Sequence, residues 1–237
     1  MPIFRLSSKL AFPDPRLASA EGLLAVGGDL SPERLLLAYS LGIFPWYGSG
    51  EPLLWWSPDP RCVIFPDRVH VSRRLERTLR HGDFHITCNA AFERVVVACA
   101  ETRLGNGEPT WLVPEMQAAY RRLHLLGYAH SLEVWQGESL AGGIYGVAIG
   151  RFFFGESMFH HAADASKVAL VALCRHLAGK RFELLDCQVP NPHLFRMGAT
   201  QIARADFLDR LFQAGLGLSG RLPRLLLPAT LPVDGRK

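Results

Sequence analysis

The sequence predicts an α+β protein in which a small N-terminal domain, residues 1–62, precedes a larger domain, residues 63–237. The first sixty residues are rich in Pro, Gly and aromatic side chains and contain one clear helix pattern. From residue 84 onward, alternating and helical segments follow one another, and three successive strands are separated only by short Gly-containing turns. Strands joined in this way pair antiparallel, so we expect a mixed, mostly antiparallel central sheet.

The single helix of the N-terminal segment has clear start and stop signals. Ser31 is a suitable N-cap, Pro32 occupies the first helical position, and Gly42 follows the end. The next segment, residues 43–61, contains four prolines and two glycines, which exclude a long helix or strand. We therefore expect an aromatic loop at the end of the small domain.

A basic segment follows at residues 61–80, which contains six arginines and only two acidic residues, Asp67 and Glu76. Ser72 should cap a helix there, with four arginines close together on its surface: Arg73, Arg74, Arg77 and Arg80. A solvated helix face is the ordinary interpretation. The alternative is an RNA-binding face, because clustered arginines neutralise phosphates and release counterions.

The larger domain should alternate between strands and helices. We expect strands at 84–88, 129–135, 139–149, 151–157, 182–188 and 200–203, and helices at 90–103, 114–127, 164–179 and 206–214. This order matches that of the GCN5-related N-acetyltransferase fold, in which the acyl donor lies where the fourth and fifth strands separate. Here those strands end near Glu156 and Gln188. The glycine-rich pyrophosphate loop of that fold is missing before the 164–179 helix, which disfavours acyl-CoA as a donor.

Seven motifs, in this order along the chain, resemble leucyl/phenylalanyl-tRNA–protein transferases. They are GGDLSPERLLLAYSLGIFPW, WWSPDPR, TWLVPEM, LHLLGYAHSLEVW, GGIYGVAIGRFFFGESMF, ASKVAL and LLDCQVPNPHL. The resemblance implies transfer of leucine or phenylalanine, with methionine as a further candidate, from aminoacyl-tRNA to the N-terminal Arg or Lys of an acceptor protein. The product would be an N-degron that directs the acceptor to degradation. Because the donor is already an activated ester, no cofactor and no metal is expected.

The strand ending in L-L-D-C-Q carries the predicted catalytic pair. Asp186 and Gln188 are two residues apart on a strand, so their side chains should leave the same face, and Asp186 should accept a hydrogen bond from the Gln188 amide. The resemblance implies that Gln188 takes up the proton of the attacking amine with help from Asp186. We favour the weaker role, in which Gln188 orients the amine and the proton leaves toward the tRNA hydroxyl or water. Glu156 should receive a cation, either the α-ammonium of the donor or the Arg or Lys side chain of the acceptor.

Aromatic side chains in loops are candidates for holding the RNA end. Single-stranded RNA is usually gripped by stacking bases on aromatic rings. The resemblance implies that Trp46 and Trp111 bind the 3′-terminal adenosine, with Tyr39 and Tyr120 as helpers.

An apolar pocket for the donor side chain should lie nearby. The candidates for its walls, which would serve a hydrophobic core equally well, are Ile144, Phe153, Met158, Leu170 and Leu185. Asn191 is a further polar candidate for substrate binding, although it would also suit a turn between Pro190 and Pro192.

Composition limits the remaining choices. Hydrophobic residues make up 49% and charged residues 20%, an ordinary globular balance, and no apolar run approaches the roughly 18 residues that span a bilayer. The five cysteines are scattered without a C-x-x-C pair, so neither a disulfide framework nor a zinc site is indicated. We expect a cytoplasmic monomer without membrane contact. Two alternatives stay open: another acyltransferase of this fold, namely a tRNA-dependent peptidyl ligase or an acyl-CoA N-acyltransferase, and a non-catalytic RNA-binding module.

Overall fold

The computed structural model of the chain describes residues 3–105, 107, 110–217 and 222–233. The other residues of the two predicted domains, which are 1–2, 106, 108–109, 218–221 and 234–237, lie outside this description. Within it, no helix is long and apolar enough to cross a membrane.

The N-terminal part contains a four-stranded sheet. In chain order its elements are β1 (Phe4–Leu6), a 3-10 helix (Pro15–Leu17), β2 (Leu23–Gly27), α1 (Pro32–Ser40), β3 (Phe44–Pro45) and β4 (Leu54–Trp56). The strands lie in the order β1-β2-β4-β3, with β1 parallel to β2 and the other pairs antiparallel. The helix and its Ser31 cap are confirmed. The sequence did not predict the strands, because each has only two to five residues and no run long enough to alternate.

The second sheet has eight strands in the order β11-β5-β10-β9-β8-β7-β6-β12. Among the strands of the described residues, β10 and β9 are the one parallel pair in this sheet, so the expected mixed, mostly antiparallel sheet is confirmed. The strands are β5 (Arg61–Ile64), β6 (Phe84–Cys88), β7 (Ala129–Gln136), β8 (Ser139–Ile149), β9 (Phe152–His160), β10 (Leu184–Gln188), β11 (Thr200–Ile202) and β12 (Thr230–Leu231).

Strand β5 is the main element that the sequence did not predict. It inserts between β10 and β11 and pairs antiparallel with both. All four of its residues are buried, so the sequence shows no alternation between core and solvent there. The predicted boundary between residues 62 and 63 falls inside this strand.

Six helices and a 3-10 helix (Pro66–Arg68) complete this part of the chain. The helices are α2 (Arg73–His81), α3 (Phe92–Gly105), α4 (Pro114–Leu125), α5 (Ala165–Gly179), α6 (Pro192–Arg196) and α7 (Arg204–Gln213). Helices α3 and α4 belong to one hydrophobic cluster, and α2 and α5 belong to another. Residues on strand β8 alternate between these clusters, with Tyr145 and Val147 in the first and Ile144 and Ala148 in the second. The sheet is therefore covered on both faces.

The two parallel strands separate where the sheet reaches the candidate site. Their pairing runs from Leu184 opposite Phe152 to Asp186 opposite Phe154. Beyond that point β9 continues to His160 while paired with β8 alone. Glu156 and Gln188 follow the last pair on their two strands, at the mouth of the resulting gap.

Candidate functional site

The backbone at the end of β10 departs from a regular strand. The pairing of β10 with β5 shifts register between Asp186 and Gln188, and Gln188 has φ of 63°, in the left-handed region. A bulge of this kind re-aims the side chain that follows it. The expected contact between Asp186 and the Gln188 amide is therefore wrong: Oδ1 of Asp186 accepts instead from the backbone N–H of Gln188, at 2.9 Å.

Asp186 itself is held by an arginine that the sequence did not single out. Nε and Nη2 of Arg61 donate to the two oxygens of Asp186 at 2.8 and 2.7 Å, and both side chains are buried. A third donor of Arg61, Nη1, reaches the carbonyl oxygen of Gly42 at 3.1 Å. The guanidinium lies between the rings of Phe44 and Phe207, at 4.9 and 4.6 Å from their centres. Asp186 is thus a fixed, buried anion that shapes the turn at Gln188.

The side-chain amide of Gln188 is oriented by Glu156. Nε2 of Gln188 donates to Oε1 of Glu156 at 3.1 Å. Since the amide N–H faces the carboxylate, the amide oxygen of Gln188 is left available as an acceptor on its other side. Its contact with Glu156 replaces the predicted contact with Asp186.

Two tyrosines hold the other side of the carboxylate. The hydroxyl of Tyr39 donates to Oε1 of Glu156 at 2.8 Å, the hydroxyl of Tyr120 donates to Oε2 at 2.5 Å, and the two hydroxyl oxygens are 2.8 Å apart. Both tyrosines are fully buried, and they come from α1 and α4. Buried rings offer no free face to a base, but the ring of Tyr120 packs edge-on against that of Trp111, with the ring centres 6.1 Å apart. Both hydroxyls fix Glu156, and the part of the two tyrosines as helpers in adenosine binding stays a prediction.

The environment of Glu156 changes its acidity. Burial raises the pKa of Glu156 to about 7, and the negative charge of Asp186 acts in the same direction, against the hydrogen bonds from Tyr120, Tyr39 and Gln188. Burial and the nearby charge of Glu156 raise the pKa of both tyrosines well above the usual value, so they stay protonated donors. The site therefore contains a carboxylate that exchanges its proton near neutral pH.

An aromatic cleft of about 130 Å³ opens beside this network. Trp46 and Trp111 both line it, together with Phe44, Glu156 and Gln188 among others. The Trp46 side chain is 41% exposed, and its backbone carbonyl accepts a hydrogen bond of 2.7 Å from the indole of Trp56. The two tryptophans that the sequence selected are thus brought together next to Gln188.

A cavity of about 220 Å³, lined by aliphatic and polar side chains in similar measure, adjoins the cleft and shares Arg103, Glu156, Cys187 and Val189 with it. Its walls include five of the predicted substrate-binding residues: Ile144, Met158, Leu170, Leu185 and Asn191.

Phe153 and Asn191 differ in their surroundings from the other predicted substrate-binding residues. Phe153 does not line it, because its ring is completely buried in the cluster that contains α5. Asn191 lines the cavity but also caps α6, with Oδ1 accepting from the backbone N–H of Leu194 at 2.8 Å. The sequence suggested a turn at this position, and the structure shows the N-cap of a short helix.

The four arginines of α2 lie apart from the cleft and the cavity and line neither. All four belong to the predicted basic helix, whose Ser72 cap is confirmed: Arg73, Arg74, Arg77 and Arg80. Arg80 pairs with Glu76, and Arg74 reaches Asp164 at 3.6 Å.

Arg103 is a functional candidate that the sequence did not reveal. It lies near the end of α3 and lines both the cleft and the cavity. Nothing in the local pattern distinguishes it from the other helix arginines, since its position depends on the packing of α3 against β9. It brings a positive charge to the place where the aromatic cleft meets the cavity.

Together these groups can bind a flat aromatic ligand joined to a small apolar side chain and present an amide oxygen where the two meet. No group of three or more His, Cys, Asp and Glu side chains among the described residues is arranged to hold a metal ion.

Comparison with known proteins gives a consistent result. Residues 63–212 match the family model described as leucyl/phenylalanyl-tRNA protein transferase, and residues 28–59 match the model of the N-terminal domain of that family. A protein of Desulfatibacillum aliphaticivorans named leucyl/phenylalanyl-tRNA–protein transferase is 56% identical over 90% of this chain and 91% of its own length. A protein of the same name from Syntrophotalea carbinolica is 50% identical over 100% of this chain and 98% of its own length. The chain therefore belongs to the leucyl/phenylalanyl-tRNA–protein transferase family of aminoacyltransferases.

Proposed function

We propose that this chain transfers leucine or phenylalanine, with methionine as a further candidate donor, from aminoacyl-tRNA to the N-terminal Arg or Lys of acceptor proteins, which creates an N-degron. One observation carries this proposal: the aromatic cleft and the neighbouring cavity, which offers aliphatic walls and the carboxylate of Glu156, share residues beside Gln188. An adenosine between Trp46 and Trp111, with its amino-acid side chain in the cavity, would have its ester bond next to Gln188. Neither substrate requires a further cofactor.

The reaction is an attack of an amine on an ester. A C–N bond forms as the acceptor amine adds to the ester carbonyl, and the C–O bond to the ribose breaks as the tetrahedral intermediate collapses. In this proposal the amide oxygen of Gln188 accepts a hydrogen bond from the amine and orients it, while its N–H remains on Glu156. The proton of the amine leaves toward the ribose oxygen, which needs one as a leaving group. Orientation of this kind is worth several kcal/mol of a barrier.

Glu156 has the position and charge to bind the α-ammonium of the donor. It lines both the cleft and the cavity, so a cation between adenosine and side chain lies within its reach. Asp186 acts indirectly, through the backbone N–H of Gln188. Ile144, Met158, Leu170 and Leu185 would surround the donor side chain.

We propose the domain organisation, the oligomeric state and the contact with the tRNA stem from the same family membership. Residues 63–237 would form an acetyltransferase-like catalytic domain and residues 1–62 a smaller domain that contributes Tyr39 and Trp46. We further propose that the protein acts as a monomer in the cytoplasm, where charged tRNA is available, and that the α2 arginines contact the tRNA stem.

Incubation of labelled Phe-tRNA with an Arg-N-terminal peptide, with no other cofactor, tests the function directly. We expect the Phe-Arg-peptide to accumulate, and the same peptide with an acetylated N-terminus to stay unmodified. Absence of product would disprove transferase activity. Product with an acyl-CoA donor but none with Phe-tRNA would favour an acyl-CoA enzyme, and RNA binding without product would favour a binding module.

Replacing Trp46 or Trp111 with alanine should weaken donor binding. Stacking of one base on an aromatic ring is worth about 1–3 kcal/mol, so we expect the KM for Phe-tRNA to rise by roughly 5- to 150-fold with a smaller change in kcat. Trp135→Ala is the matched control, because Trp135 of β7 packs against His85 of β6 and lines neither the cleft nor the cavity. Equal KM values for all three variants and the wild type would contradict the assignment.

Glu156 should give the reaction a characteristic pH dependence. Because the pKa of Glu156 is about 7, its charged form grows as pH rises through neutrality, and the charged form attracts an ammonium group. We expect kcat/KM for Phe-tRNA to rise with pH through about 7 in the wild type, and this rise to be lost in Glu156→Gln. The amines of the two substrates titrate identically with both enzymes, so the difference between the two profiles isolates Glu156. Identical profiles would assign the rise to the substrates.

A further inference from the structure

A basic groove lies across α6 from the cavity that contains Ile144, Met158 and Leu170. Leu194 of this helix lines the cavity, whereas His193, Phe195 and Arg196 line the groove. The other side of the groove is formed by residues that precede and begin α2, including His70 and Leu75, and by Lys167 of α5. The groove, with a volume of about 620 Å³, thus connects the region of the cavity with the helix that carries the four arginines.

The groove is strongly biased toward positive charge. Lys167 and Arg196 are its permanent cations, and none of the described residues that line it is acidic. Burial, and then the positive charges of Lys167, Arg196 and His160, lower the pKa of His193, which reflects how closely these groups approach one another. The nearby carboxylate of Asp164 is shared between Lys167, at 2.6 Å, and Arg74, at 3.6 Å. Two cations, Lys167 and Arg74, therefore share one carboxylate at this edge, and Arg196 has no carboxylate partner among the ion pairs of the described residues.

An aromatic ring lies among these cations. Phe195 is 45% exposed and lines the groove. Cations that follow a backbone, together with an exposed ring on which a base can stack, are the combination that single-stranded nucleic acids recognise. A polypeptide with an N-terminal Arg or Lys would instead be repelled by Lys167 and Arg196.

We propose that this groove, called the α6 groove below and lined by His70, Leu75, Lys167, His193, Phe195 and Arg196, binds the phosphodiester chain of the donor RNA upstream of its 3′-terminal adenosine. The inference rests on the proposed transferase function. It extends the RNA contact from the cleft, past the cavity and across α6 toward the arginines of α2. Binding of phosphates there adds affinity for a full-length donor without touching the reacting atoms.

The test compares two donors with the double variant Lys167→Gln/Arg196→Gln. With Phe-tRNA we expect the KM to rise about tenfold at low salt, the slope of log KM against log salt to fall by about one to two, and kcat to stay unchanged. With the phenylalanyl ester of adenosine, which has no phosphate, we expect the KM and kcat of the wild type. The matched control is Arg151→Gln/Lys180→Gln, which removes the same charge at two exposed positions outside the α6 groove.

Each outcome separates the inference from the function on which it rests. A groove variant whose KM and salt slope with Phe-tRNA equal those of the control would overturn the α6 groove while leaving transfer intact. A variant that loses activity equally with both donors would also overturn it, because the change would then act on the site itself. A wild-type protein that transfers phenylalanine from neither donor would disprove the proposed function and therefore also the inference about the α6 groove.

Discussion

Asp186→Asn should lower the free energy of unfolding by about 3–5 kcal/mol, which is the usual cost of removing one partner from a buried ion pair. The asparagine can still accept from the backbone N–H of Gln188, but it leaves the charge of Arg61 buried and uncompensated. Burial of an unpaired charge is expensive because the interior cannot replace its hydration. Chemical denaturation of the wild type and the variant measures the difference, which would contradict the prediction if it were below about 1 kcal/mol.

The double variant Arg61→Met/Asp186→Leu separates stability from positioning. Replacement of both partners by apolar residues of similar volume is often neutral or stabilising, so we expect most of the lost stability to return. Transfer should not return, because the backbone N–H of Gln188 has then lost its acceptor and the turn is no longer held. If transfer recovers together with stability, Asp186 has only a structural role.

The elements predicted from the sequence are those with long, well-punctuated patterns. Strands β7 and β8 were expected within one residue of their observed ends, because each is bounded by turns that contain Gly. The helix at α5 was found for a similar reason, since its apolar residues repeat over fifteen positions. Strand β5 was missed because a short strand buried on both faces carries no alternation, and its first residue, Arg61, reads as a surface charge.

Most residues of the site could be predicted from the sequence, but the contacts between them could not. The expected contact between Asp186 and the side-chain amide of Gln188 assumed that a strand keeps its two-residue period to the end. The bulge breaks that period, and a local sequence does not reveal a bulge that depends on pairing with β5. The contact of Tyr39 and Tyr120 with Glu156 was likewise not predicted, because their hydroxyls meet across 81 positions of the chain. Contacts between segments that are distant in the chain decide whether an aromatic side chain binds a ligand or holds another side chain in place.

These contacts also explain why the small N-terminal part is needed. It supplies Tyr39 to Glu156, the carbonyl oxygen of Gly42 to Arg61, and Trp46 to the cleft. Tyr39 and the Gly42 carbonyl oxygen contact side chains of the large sheet, and Trp46 lies beside that sheet. The site is therefore assembled from both parts of the chain, and Arg61 of the large sheet links them through its hydrogen bond to the carbonyl oxygen of Gly42.

Removal of the Gln188 side chain should abolish most of the transfer without unfolding the protein. Gln188 has positive φ, which glycine adopts freely, so Gln188→Gly deletes the amide while relieving rather than adding backbone strain. We expect kcat to fall by roughly 10²–10³-fold, a typical cost of losing a group that positions reactants or donates to them, while the KM for Phe-tRNA changes little. Steady-state kinetics together with thermal unfolding measure both effects. A variant that keeps wild-type kcat would remove Gln188 from the mechanism.

Gln188→Glu distinguishes an orienting amide from a proton acceptor. A carboxylate at this position is the stronger base, so transfer would persist or rise above pH of about 8 if Gln188 took up the proton of the amine. The same carboxylate cannot donate to Glu156, which the amide contacts at 3.1 Å, and two like charges at that distance repel. Because we assign Gln188 an orienting role, we expect Gln188→Glu to lose transfer as severely as Gln188→Gly across the pH range. Recovery of kcat for Gln188→Glu at high pH would show instead that proton acceptance is the function of this position.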